Sequence, residues 1–293
     1  MPPHLTFTPQ RNLGNEPNCA ALLDACGTNN AAVALQLAPD CGAELLSYGL
    51  ERAIDNNNFH LASQLLHMGV NWGAETIRSA AKTYEGVKWL VESGYDINTS
   101  LASGTVLLLH VISRDNEASI RYLLERGANP NLGPSKRPSA PANEMRPITH
   151  CGHTLNEAAA SCTPEIFALL LSYGAELSNA TPVHYAAACG QDDRTPMLEY
   201  LVEELKLDIN GSDNALTIPE ECRGREGTPL HYALHNRKYE TSRWLLEHGA
   251  DPNKSITPRY PTSTPRIWIQ DTPHDKRFSE LLSKYPVRKE TRS

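Results

Sequence analysis

An all-α solenoid of about eight helix–turn–helix units, with degenerate N- and C-terminal caps and long finger-loop insertions, is the fold class this sequence predicts. Three observations predict it. The first is the stretch Gly227 to Asn253, GTPLHYALHNRKYETSRWLLEHGADPN. Thr228 is placed to N-cap a helix, and Pro229 follows where its missing N–H costs nothing. Leu230, Ala233 and Leu234 share one helical face; Trp244, Leu245 and Leu246 form a second apolar set after the polar break Asn236-Arg237-Lys238. Gly249 ends the second helix and Asp251-Pro252-Asn253 turns the chain away. The second observation is recurrence. Thr181-Pro182-Val183-His184-Tyr185-Ala186-Ala187 repeats the helix start and Asp208-Ile209-Asn210 the turn, while Leu123 to Asn131 and Leu169 to Glu176 repeat the second-helix end. The third is the period: Asn98 and Asn131 are 33 residues apart. A unit of this size cannot bury its own apolar faces, so it stacks on neighbours of its kind.

Taken in order, residues 1–16 are polar and proline-bearing and are read as an extended lead-in. The array is read as residues 17–286 in a single body, and 287–293 as a disordered charged tail. Cys19–Cys26 and Ala31–Leu35 make a degenerate first pair, as a terminal unit with one face in water does. Glu44–Ala53 with Phe59–Leu66 follow, closed by Gly69. The next pair carries Ile77, Ala80 and Ala81, then Val87, Trp89, Leu90 and Val91, closed by Gly94. Gly104 to His110 opens another without Pro or His at the helix start, with His110 at or beside the small core position. The unit after it resumes at His153 to Ala159, with Leu155 and Ala158 in core slots and Glu157 where its sisters carry Tyr185 and Tyr232. A last helix is read from Pro273 to Tyr285, with Phe278, Leu281 and Leu282 inward. Three proline-bearing stretches, 132–152, 211–226 and 254–266, interrupt the period between the turn Asn of one unit and the helix start of the next.

These residues resemble the ankyrin repeat, whose consensus carries G-x-TPLH-x-A at the first helix, a Leu-Leu pair in the second and GA-D-x-N in the turn. The resemblance implies an ankyrin-repeat solenoid and a protein-binding adaptor or scaffold. It also implies that His184 and His231 tie adjacent turns through hydrogen bonds and that the fingers project beside the concave face.

Composition limits the partners. A net charge of −7 opposes a nucleic-acid backbone as ligand. No stretch approaches the roughly 20 apolar residues of a membrane span and the N-terminus lacks an apolar signal core. Seven cysteines, irregularly spaced and without C-x-x-C, suit reduced thiols, so the expected setting is intracellular and cytoplasmic, with the nucleus second, and the chain monomeric. Groove-facing positions past the core Ala are Ser161, Cys189, His235 and Asn236; Glu157 precedes it. Arg137, Arg146 and His150 on the first finger, and Asp213, Glu220, Glu221, Arg223 and Arg225 on the second, flank them. Together they suit a protein or peptide partner carrying both charge signs. No cofactor or metal is expected: His150-Cys151-Gly152-His153 is the one tight ligand cluster, it matches no zinc spacing, and His184 or Cys189 would have to complete it. Phosphate-loop, dinucleotide, nucleophile-elbow and H-E-x-x-H motifs are absent. The alternative is an enzyme whose acid–base groups, Glu157, His153, Tyr185 and Asp213, sit in a groove covered by the fingers.

Overall fold

The computed structural model describes residues 18–135, 146–189, 194–224, 227–255, 264–271 and 276–285. The lead-in, the charged tail and the tips of the first and third fingers fall outside them. Among the described residues sixteen α-helices run in sequence as short pairs, and the single β feature is one isolated antiparallel bridge, Gly133 to Ile148. The chain divides into two compact units, residues 1–129 with 139–147, and 130–138 with 148–293.

In the first unit the pairs are α1 Cys19–Gly27 with α2 Ala31–Leu37, α3 Ala43–Asp55 with α4 Phe59–His67, α5 Ala74–Ala80 with α6 Tyr84–Glu92, and α7 Leu107–Ile112 with α8 Glu117–Glu125. Second helices start on side-chain caps: Asn30, Asn58 and Asn116 accept from the amides of Val33, Leu61 and Ser119, and Thr83 accepts from Gly86. The core repeats Leu50, Ala53, Ile54; Ile77, Ala80, Ala81; and Leu108, Val111, Ile112, all buried. In the last of these the structure decides between the two registers the sequence left open for His110. Val106 is the N-cap, Val111 fills the small slot and half-buried His110 stands beside it. A 3₁₀ turn, Ala102–Gly104, with Ser103 and Gly104 at positive φ, absorbs the extra residue. Phe59, Trp72, Trp89 and Tyr95 form an aromatic cluster with centroids 5.5–5.9 Å apart, and the Trp89 indole donates to Ser63 Oγ at 2.9 Å.

In the second unit the pairs are α9 His153–Ser161 with α10 Pro164–Ser172, α11 Pro182–Ala188 with α12 Thr195–Glu199, α13 Pro229–His235 with α14 Tyr239–Glu247, and α15 Pro265–Asp271 with α16 Lys276–Ser283. Thr228 caps α13 by accepting from the His231 amide, Pro229 is its first residue, and Gly249 has φ +98°. Helix α12 ends in a π turn, Tyr200–Glu204. Because α15 begins at Pro265, the third insertion stops short of the 266 expected. Arg266 Nη1 donates to the Leu282 carbonyl at 2.9 Å, joining α15 to the end of α16.

One device recurs in both units. Asn98 donates to the Gly127 carbonyl and accepts from the Asn129 amide. Asn131 makes the same pair with Gly174 and Glu176, and Asn210 with Gly249 and Asp251. Each turn Asn therefore replaces water at two backbone groups of the following turn. The later two clamps close over the inserted fingers, so the insertions leave the repeat geometry intact.

Candidate functional site

The site lies wholly within the second unit and is built from the first helices α9, α11 and α13. A buried polar position follows the buried apolar one on each of the first two. Asn156 Oδ1 accepts the Thr181 amide at 2.7 Å, which fixes the start of α11. One unit on, His184 Nε2 lies 3.0 Å from the Gly211 carbonyl and 3.1 Å from the Gly227 carbonyl. Two carbonyl acceptors require that nitrogen to carry the proton. His184 thereby ties α11 to both ends of the second finger.

The second finger is held closed by its own groups. Asp213 Oδ1 accepts the Gly227 amide at 2.7 Å and Oδ2 accepts the Tyr232 hydroxyl at 2.5 Å, with the Asp213 side chain 1% exposed. Gly224 packs directly on that carboxylate; a Cβ there would stand 1.7 Å from Oδ2, so only glycine fits. Arg223 turns back on the loop, donating through Nε to the Ile218 carbonyl at 2.8 Å and through Nη2 to the Leu216 carbonyl at 3.3 Å. The Cys222 thiol donates to the His150 carbonyl at 3.2 Å, joining the second finger to the stem of the first. That stem is itself closed by the Gly133–Ile148 bridge and by the Cys151 amide donating to the Asn131 carbonyl.

Between the fingers and the helices lies a cavity of about 850 Å³. Rings form much of its wall. His153 meets Tyr185 edge to face at 6.2 Å, His184 meets Tyr232 at 5.6 Å, and His231 lies 6.1 Å from both Tyr232 and His235. Ala188 and Gly224 leave part of the lining without bulk. Burial, reinforced by His235, lowers the His231 pKa to about 4 against the pull of Asp213, so its imidazole is neutral at pH 7. Burial likewise pushes Tyr185 up to about 12, aided by Glu157, Cys189, Asp213 and Cys151. Half-buried Glu157 has its carboxyl raised by burial, with the Ser161 hydrogen bond acting the other way.

The family model described as ankyrin repeats in three copies matches residues 155–256. Residues 155–256 carry ankyrin repeats. A curated relative, alpha-latrocrustotoxin-Lt1a of Latrodectus tredecimguttatus, is 31% identical over 75 residues, which is 26% of this chain and 5% of the toxin. The match thus spans a small part of that relative's length. Among solved structures, the crystal structure of the human ASB11 ankyrin repeat domain is 17% identical, with a TM-score of 0.48 over 77% of this chain and 99% of that one.

Within the ankyrin frame the expected residues separate into three groups. Cys189, His235 and Asn236 line the cavity, as the groove positions of α11 and α13. Asp213 and Arg223 line it too, with their charged ends hydrogen-bonded inside the finger. Glu157, Ser161, His150 and Glu220 are outside the cavity lining, with His150 and Glu220 exposed. Arg146 is exposed and belongs to the first unit, while Arg137 and Arg225 lie outside the described residues. His150, Cys151 and His153 do not converge: no group of three or more metal-binding side chains occurs among the described residues. Tyr185, expected in the groove only as an acid–base group of the enzyme alternative, and Tyr232 are both cavity walls. Their place in the groove row beside Cys189 and His235 was the available signal. No helix among the described residues is long and apolar enough to cross a membrane.

Proposed function

We propose that this chain is an adaptor that binds a partner protein by taking a peptide segment of it into the groove of the second unit, along α9, α11 and α13 and under the second finger. Ankyrin repeats are in general protein–protein interaction modules. The single observation that carries the site assignment is the preformed finger. Its closure by Asp213, Tyr232, Gly224 and Arg223, all through bonds and packing within the chain itself, braces the wall of a cavity of about 850 Å³, and a braced wall reduces the entropy cost of binding. Free thiols at all seven cysteines suit an intracellular, cytoplasmic setting, with the chain acting as a monomer.

Ala188→Arg tests the groove, since it fills the cavity from a half-buried position at the end of α11. Affinity capture from the native lysate should recover a protein with the wild type and lose it with the variant, while both keep the same thermal transition. An unchanged set of captured proteins would remove the groove from the binding surface.

A further inference from the structure

Resting on that reading, we propose that the occupant is an uncharged, proline-rich segment of the partner, bound as a polyproline II helix. The groove selects against charge. Among the described residues, the formally charged groups in its lining are Asp213 and Arg223, and each is already used. The Asp213 carboxylate holds the Tyr232 hydroxyl and the Gly227 amide, and the Arg223 guanidinium holds two carbonyls of its own loop. A cation brought into the groove would compete with both donors for Asp213; an anion would have to draw Arg223 from the finger it closes. Either course desolvates a charge and breaks bonds that maintain the cavity.

What the groove offers instead is ring surface. Tyr185 on α11 and His231, Tyr232 and His235 on α13 give two neighbouring first helices ring faces and edges along the groove. A polyproline II chain matches such a surface. It has no internal hydrogen bonds, its carbonyls point outward, and its rigid form loses little entropy on docking between aromatic rings. The two requirements, neutral and ring-complementary, fit proline-rich sequence better than an amphipathic helix, whose carbonyls are consumed internally.

The experiment titrates the full chain against three fluorescein-labelled synthetic peptides of equal length, one proline-rich and uncharged, one acidic and one basic, read by anisotropy. The proline-rich peptide should bind, with an affinity unchanged when salt is raised, and His235→Ala should weaken it about tenfold. His235 is exposed at the end of α13, so its removal leaves the core alone. Tighter binding of the acidic or basic peptide, lost on His235→Ala, would overturn the choice of occupant and leave the groove as the partner site. Proline-rich binding that ignores His235→Ala would overturn it too. Silence of all three would overturn the proposal, with the Ala188→Arg capture reporting separately on the groove.

Discussion

The two units share one apolar pattern and fill its polar neighbours differently. After the buried apolar residue of each first helix, the first unit places Glu51, Arg78 and Leu109, whereas the second places Asn156, His184 and His231. Asn156 and His184 are bonded to backbone of the next helix start, at Thr181 and at Gly227. In the first unit, charged side chains meet instead: Arg78 pairs with Glu75 at 2.5 Å and Lys82 with Asp55 at 2.7 Å, both pairs substantially exposed. Exposed pairs of this kind contribute about 0–1 kcal/mol each. Neutral side chains bonded to backbone fix where a neighbour begins, and so can hold a loop in place. That difference explains how the second unit carries a structured finger.

The largest expected effect tests the shared apolar pattern. Leu230→Ala in the second unit and Leu108→Ala in the first each open a cavity at a fully buried position, with an expected loss of about 2–5 kcal/mol measured by denaturant unfolding. A loss at Leu108 well below that at Leu230 would mean that the register of α7 leaves the side chain room to be replaced, and the two cores would no longer be equivalent.

Next in size is the contrast between the finger latch and the turn clamp. Asp213→Ala strands a part-buried hydroxyl and a buried amide, at about 1–3 kcal/mol for each unsatisfied donor, the hydroxyl at the lower end. Asn98→Ala removes two hydrogen bonds at a more exposed site, where water replaces them, at about 0.5–1.5 kcal/mol for each. Hydrogen exchange should show faster amides through residues 211–224 in the first variant and at Gly127 to Asn129 in the second. If both variants lose the same stability with no local change at the finger, Asp213 is not its latch.

How much of this was legible follows from range. Helix starts, core faces and turns are local, so Thr228, Pro229, Leu230 and Gly249 announced them, and the position of the fingers followed from the broken period. The interior of a finger is not local. Asp213 finds Tyr232 nineteen residues away and Cys222 finds the His150 carbonyl across 72. In sequence an Asp and an Arg on a polar loop look like surface charges. Whether such a charge faces water or closes its own loop depends on backbone that comes near only when the repeats stack. The register of α7 stayed open for another reason: Leu107, Leu108 and Leu109 are all apolar, so either register satisfies the pattern, and the 3₁₀ turn before it decides.

The smallest effect is the one that separates the units by sign. Burial, with Glu75 and Asp55 adding to it against Arg78 and Lys82, raises Glu51 in the first unit from 4.5 to about 7. A carboxyl whose folded pKa is raised holds more protons folded than unfolded, so stability falls as pH rises from 4.5 through 7. His231 in the second unit is lowered from 6.5 to about 4. There the unfolded chain binds the extra proton, so stability is complete above 6.5 and is lost as pH falls toward 4. Moving from about pH 7.5 to about pH 5 should therefore slow exchange in α3 and α5 and speed it in α13, once intrinsic rates are corrected. Each change is about 1 kcal/mol after discounting for solvent screening. Glu51→Gln should erase the first response, stabilise the first unit at the higher pH by the same amount, and leave α13 responding as before. If α3, α5 and α13 moved in the same direction, the two rows would not differ in the way their chemistry requires, and a global charge effect of the acidic chain would account for the pH dependence instead.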